Sequence, residues 1–288
     1  MTQRSISESR RERLDAILEC LIADETESAQ SLASRFGVSL MTVHRDLDEL
    51  QRRGVVRKFR GGVSVARTST YEISASLRRL VAVPQKKAIA AVAARMVGPG
   101  QSVLLDDSTT AAMMLDHLLG IEDLHIVTNY LPTLARIAHE GGPTVAAIGG
   151  TFDVGHESFL GVGAVGAIRA LRVDIAFFST TTADVDGIYH QEESIVAVKS
   201  EMMRSSRRRV LLVDSGKLGD TSLHQVAEWG GVDDLVTDAG ADVSLLDALR
   251  SRGVSVTVVD PTPHGEPAFH DTDSGPGTDA ADQDNEEK

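Results

Sequence analysis

The sequence predicts an α/β protein: a small helical domain closed by a β-hairpin, then a larger domain around a mostly parallel sheet. Three observations predict it. Apolar residues between Leu14 and Leu50 recur at helical spacing and give way to two short β-rich runs before residue 67. From Lys86 onward helical runs alternate with short strand-like runs, the pattern of a sheet covered on both faces. Charge divides the chain in the same places, since residues 35–65 carry seven Arg or Lys against three Asp or Glu in a chain of formal net charge −13. The expected divisions are a first domain over 1–67, a linker over 68–85, a second domain over 86–259 and a tail over 260–288.

In the first domain Leu14, Ile17, Leu18, Leu21 and Ile22 form one stripe of a first helix. Ser28 is placed to cap a second, with Ala29, Leu32, Ala33 and Phe36 facing inward. Gly37 ends it, because a tight turn between helices needs a left-handed residue. Ser39 caps a third helix expected over Leu40–Arg53, with Leu40, Val43, Leu47 and Leu50 on the core face and Met41, Thr42, His44, Arg45, Asp48 and Glu49 elsewhere. This is the layout of a helix-turn-helix, whose second helix enters the major groove of double-stranded DNA. Runs 55–59 and 63–66, joined through Arg60, Gly61 and Gly62, then read as a wing, with Arg57, Lys58 and Arg60 placed to meet phosphates.

The stretch ASRFGVSLMTVHRDLDELQRRGVVRKFRGGVSV resembles the winged helix-turn-helix of the DeoR family of bacterial transcriptional regulators, roughly VS-x-x-T-[IV]-R-R-D-L followed by a basic wing ending in GG. His44 stands where that family usually has Arg. The resemblance implies Ser39, Thr42, His44, Arg45, Arg57, Lys58 and Arg60 as the DNA-binding set.

In the second domain helices are expected from KKAIAAVAARMV, TTAAMMLDHLL, LPTLARIAHE, ESIVAVKSEMMRSS and VSLLDALRSRG, and strands from SVLLD, LHIVTN, TVAAIGG, VDIAFFST, RVLLVDS, DDLVTD and VSVTVVD. Ligands in such folds bind beyond the carboxyl ends of the strands. Polar residues cluster there: Asp106, Asp107, Ser108, Thr109 and Thr110 after one strand, Thr128 and Asn129 after the next, Gly149 and Gly150 after a third, and Asp214, Ser215 and Lys217 after another. Each also has an ordinary structural reading as helix cap, turn residue or surface pair.

The order QKKAIA, LLDDSTT, IVTN, IGG, VDSGK and DDLVTD is similar to the effector domain of DeoR-type regulators, related in fold to sugar-phosphate isomerases. By that resemblance Asp106, Ser108, Thr109 and Thr110 fall on a phosphate loop, Thr128 and Asn129 on a TN motif, and Lys217 on a D-x-S-K-like lysine. The implied effector is a phosphorylated sugar or related metabolite. Ser108 replaces the family's usual Gly, and Asp107 adds a negative charge that Lys217 is expected to offset.

Composition excludes other chemistry. A single cysteine makes no internal disulfide, and nine histidines show no H-x-x-x-H spacing, so neither a metal nor a cofactor is expected. No apolar run approaches the roughly 18 residues of a membrane span, and the protein reads as cytoplasmic. The tail holds nine acidic residues against one basic and few large apolar ones, the composition of a disordered acidic appendage. The expectation is a repressor of carbohydrate-metabolism genes, acting as a homo-oligomer, dimer or tetramer, and not an enzyme. The alternative is a sugar-phosphate isomerase carrying a DNA-binding module, with Lys217 and Asp106 or Asp214 as acid and base.

Overall fold

The computed structural model describes residues 10, 13–14, 16–18, 20–21, 24, 26–52, 56–65 and 74–261. Ile22, Arg53, Val55, Ala66, residues 68–73 of the expected linker and the acidic tail from residue 262 lie outside them. The described residues between 10 and 21 are helical (α1) and bury Leu14, Ile17, Leu18 and Leu21. Strand β1 (Thr26–Glu27), helices α2 (Ala29–Phe36) and α3 (Leu40–Arg52), and strands β2 (Val56–Phe59) and β3 (Gly62–Val65) follow. Ser28 Oγ accepts the Ser31 amide at 3.0 Å, and Gly37 ends α2 at φ +62°.

The three small strands form an antiparallel sheet in the order β1-β3-β2. β1 carried no signal in the sequence, since two residues cannot display a period of two. The wing turns at Arg60 and Gly61, and Gly62, expected in the turn, already pairs with Phe59. Leu40, expected in the core, is 40% exposed. It opens α3, one turn before the inward row of Val43, Leu47 and Leu50 is covered by the neighbouring helices.

Beyond lie α4 (Ala75–Arg78), α5 (Val83–Ala94), β4 (Ser102–Leu105), α6 (Thr109–Ala112), α7 (Leu115–Leu118), β5 (His125–Thr128), α8 (Leu131–Glu140), β6 (Thr144–Ala147), β7 (Thr151–Asp153), β8 (Ser158–Leu160), α9 (Gly161–Arg169), β9 (Val173–Phe178), β10 (Thr182–Ala183), β11 (Ile188–His190), α10 (Glu193–Arg204), β12 (Ser206–Leu212), β13 (His224–Ala227), β14 (Asp234–Asp238), α11 (Val243–Ser251) and β15 (Ser255–Val259). α5 begins at Val83 rather than Lys86, with Pro84 in the first turn, where its missing N–H is not needed. TTAAMMLDHLL follows one helical path that tightens around Met113 and Met114, where amides bond to carbonyls three residues back, and so divides into α6 and α7.

Seven strands make one parallel sheet in the order β15-β14-β12-β9-β4-β5-β6. Leu105, Ile126, Phe177 and Leu212 pack on one face with Ile89 of α5, while Leu104, Val127 and Ala176 pack on the other with Ile168 of α9 and Ile195, Val198 and Met202 of α10. Burial on both faces explains why these strands read as unbroken apolar runs. The chain leaves β4 toward β5 and β6, then returns to β9 and runs outward through β12, β14 and β15. The reversal between β4 and β9 is the topological switch point, where open α/β sheets hold ligands.

Candidate functional site

Two surfaces gather the predicted residues. On the first, α3 is fixed from behind by Asp46, a buried carboxylate that accepts from Arg10 Nε at 3.1 Å and Arg13 Nε at 2.7 Å. His44, Arg45, Arg57 and Arg60 are exposed. Ser39 is exposed too, and its side chain is engaged with the start of α3: its Oγ accepts the Thr42 amide at 3.1 Å and lies 2.9 Å from the Thr42 hydroxyl. Lys58 is paired with Asp48 across the gap between wing and α3. Lys58 and His44 both line a cleft of about 240 Å³. A capped helix with an exposed Arg beside a hairpin carrying two exposed Arg side chains suits a major groove flanked by phosphates.

The second surface is the switch point. Asp106, fully buried after β4, accepts the amides of Ser108 and Ser179, each at 2.9 Å, and pairs with Lys199 of α10. Its carboxylate therefore joins the loops after β4 and β9. Asp107 accepts from Ser158 Oγ at 2.9 Å and lies 3.2 Å from the same Lys199 ammonium. Burial opposes the charge on Asp107, but Lys199, then Arg78 and His156, and the Ser158 hydroxyl outweigh it and hold the carboxyl below its ordinary range. Burial likewise opposes the charge on Lys199, and the two carboxylates overcome it and raise its pKa.

Several expected ligand groups are engaged by the fold itself. Ser108 Oγ accepts the Ala111 amide at 3.1 Å as the cap of α6. Thr109 Oγ1 accepts from Lys86 Nζ at 3.0 Å. Thr128 Oγ1 accepts the Tyr130 amide, and Asn129 Nδ2 donates to the Phe159 carbonyl, both at 3.1 Å. A Cβ on Gly150 would come within 2.5 Å of the Leu160 carbonyl oxygen, so that glycine admits β8 rather than a ligand. Gly149 is exposed beyond β6. Asp214 is buried after β12, and its carbonyl accepts the Lys217 amide at 2.9 Å. Lys217 donates to Thr180 O at 2.9 Å and Ser179 Oγ at 3.4 Å. The expectation that it offsets Asp107 is corrected, because Lys199 and Arg78 do so. The Thr110 hydroxyl and the Asn129 amide oxygen are buried with no hydrogen-bond partner among the described residues.

Sequence reasoning did not single out Arg78, Lys86, His156 or Lys199. Two of them left a signal: Lys199 interrupts the stripe Ile195, Val198 and Met202, and Lys86 opens the stripe Ile89, Ala90 and Ala93. A lysine in an apolar stripe is buried only if it finds acceptors, and here both are. Among the described residues no cluster of His, Cys, Asp or Glu is arranged to hold a metal, and no helix is long and apolar enough to cross a membrane.

Comparison with known proteins agrees with this arrangement. The DeoR-like helix-turn-helix domain matches residues 13–69, and the DeoR C-terminal sensor domain matches residues 81–239. The chain is 32% identical to the HTH-type transcriptional regulator YgbI of Escherichia coli K12, over 86% of this chain and 97% of that protein. It is 28% identical to the HTH-type transcriptional repressor GlcR of Bacillus subtilis, over 86% and 96%. It is 24% identical to a putative aga operon transcriptional repressor of Escherichia coli O157:H7, over 86% and 93%. Among solved structures, a D-ribose-5-phosphate isomerase in complex with phospho-erythronic acid matches 47% of this chain and 53% of that one, with TM-score 0.35 and 17% identity, too slight a likeness to carry an argument. A helix-turn-helix with a basic wing, joined to the sensor domain of the same family, leaves one conclusion: the chain belongs to the DeoR family of transcriptional regulators.

Proposed function

We propose that this regulator represses carbohydrate-metabolism genes from a double-stranded operator, and that a phosphorylated sugar or related metabolite bound at the switch point controls it. One observation carries the ligand part. Arg78, Lys86, Lys199 and Lys217 converge on the loops after β4 and β9, beside the buried Thr110 hydroxyl and Asn129 amide oxygen that lack a partner among the described residues. Cations suit an anionic group, and an unpartnered acceptor suits a sugar hydroxyl. The repressor names of two relatives support the sign of regulation.

On this reading the ligand is bound and not turned over. Asp106, the carboxylate that would act as a base, is held by two backbone amides and Lys199, which supports a structural part for it. The protein acts in the cytoplasm as a homo-oligomer, dimer or tetramer. Exposed Phe152, Val154 and Val162 supply apolar surface for self-association, and paired reading heads suit paired half-sites.

Titration calorimetry with phosphorylated sugars and their unphosphorylated counterparts, followed by a DNA mobility shift on the region upstream of the gene, tests the proposal. A phosphorylated sugar should bind, its counterpart should not, and operator affinity should change by about tenfold, the effect of about 1.4 kcal/mol of coupling. Absence of binding across the panel sinks the ligand reading.

A further inference from the structure

Helix α4 belongs to both halves of the molecule. Its Leu77 is 3% exposed and packs in the core of the DNA-binding domain, the cluster that holds Leu14, Leu32, Val43 and Leu47. Ala75, Arg78 and the following Arg79 reach the sensor domain at the turn between β7 and β8 and at Tyr130. The Ala75 amide donates to the Gly155 carbonyl at 2.9 Å, and Arg79 pairs with Glu157 and donates to the Tyr130 hydroxyl at 3.1 Å. The Arg78 guanidinium lies 3.4 Å from His156 Nδ1. The other ring nitrogen, His156 Nε2, lies 3.0 Å from Glu192 Oε1.

The same helix is tied to the switch point. Lys86, buried near the start of α5, donates to the Arg78 carbonyl and to Thr109 Oγ1. Between them Ala82 sits at φ +51°, a left-handed backbone that a side chain disfavours and that only surrounding contacts maintain. A short path therefore runs from Thr109 through Lys86 to the Arg78 carbonyl, and one residue further to Leu77 inside the DNA-binding domain.

We propose that α4 is the relay between the sensor site and the DNA-binding domain, with Lys86 as its positioning residue. A ligand that displaces Thr109 changes what Lys86 holds, shifts α4, and moves Leu77 within a core packed too tightly to absorb the movement locally. The coupling needs no contact between ligand and DNA-binding domain. It rests on the reading of the switch point as the effector site, and deepens it.

The test is amide hydrogen exchange on the full chain without added ligand, comparing wild type with Lys86→Met and Thr109→Val. The first removes the ammonium and keeps the stem, and the second removes the hydroxyl at nearly constant shape. Each should speed exchange of the α2 and α3 amides by roughly 2- to 30-fold, while the β9 and β12 amides at the sheet centre stay as in wild type. Unchanged α2 and α3 exchange overturns the relay. Thr109→Val, the milder change, decides the matter if Lys86→Met disturbs the sheet. Calorimetry with D-ribose 5-phosphate and with inorganic phosphate separates the two claims: binding without exchange coupling sinks the relay alone, and exchange coupling without binding sinks the effector reading alone.

Discussion

The ammonium of Lys199 sits on the carboxylate of Asp106, 93 residues earlier in the chain, with both side chains buried. The pair joins α10 to the end of β4, and through the Ser179 amide it joins β4 to β9 as well. Replacing Lys199 with Met leaves Asp106 and Asp107 side by side without their shared cation. Breaking a buried ion pair by removing one partner typically costs about 3–5 kcal/mol, so Lys199→Met should lower the denaturation free energy by that order. A urea titration that finds less than about 1 kcal/mol would show that water or Arg78 replaces it.

Acid should unfold the sensor domain partly through Asp107. Its folded pKa is held down to about 2, against an ordinary value of 3.8. The deprotonated, paired form contributes stability that is complete above about pH 4 and is lost as pH falls through that window toward 2. Asp107→Asn should flatten this limb of the stability profile. An acid limb identical to that of wild type would assign it to other carboxylates.

Asp46 should matter to DNA binding without touching DNA. It is buried and fixes α3 against α1 through Arg10 and Arg13, so Asp46→Ala should cost about 1–3 kcal/mol of domain stability. Operator affinity should fall with the loosened helix, while the slope of log affinity against log salt stays the same, because the same phosphates remain neutralised. A changed slope would place Arg10 or Arg13 on the phosphate backbone.

Arg57 and Arg60 should carry the sequence-independent part of DNA affinity. Replacing both with Ala should reduce the salt slope by about 0.9 for each phosphate left without its arginine. Asp48→Asn should instead tighten binding to any duplex, since it removes a negative charge from the reading face and releases Lys58. Weaker binding by that variant would mean that the Asp48 pair holds the wing in its working position.

Arg45 is exposed on α3, the helix proposed to enter the groove. If it makes a paired contact with one base, Arg45→Ala should cost about 1–3 kcal/mol and relax preference at that base alone. Equal weakening on every operator variant, measured by competition binding, would make it a backbone contact.

The DNA-binding domain was legible almost residue by residue. Ser28 and Ser39 as caps, Gly37 as the left-handed stop and Val43, Leu47 and Leu50 as the inward row are decided by neighbours within one helical turn. The seven strands of the parallel sheet were equally plain, because a sheet buried on both faces writes itself as apolar runs, whereas the short strands β7, β8, β10, β11 and β13, two to four residues each, were not anticipated. The ligand cluster was legible only as a location. Ser108, Thr128 and Asn129 stand where the sequence places them, but whether a hydroxyl or amide faces a ligand or its own backbone depends on turns whose other half comes from β8 or α6.

By itself, then, the sequence determined the local structure, the division of charge and the family. Periodicity, caps and motif spacing are short-range properties, written wherever a helix or strand is. Tertiary structure alone decided that Lys199 rather than Lys217 neutralises Asp107, that Asp46 anchors α3, and that Leu77 enters the DNA-binding core while Arg78 reaches the sensor domain. Charge pairing is set by strand order and by which helix covers which face. Those come from the packing of the whole sheet, so residues 93 apart meet for reasons that no local pattern records.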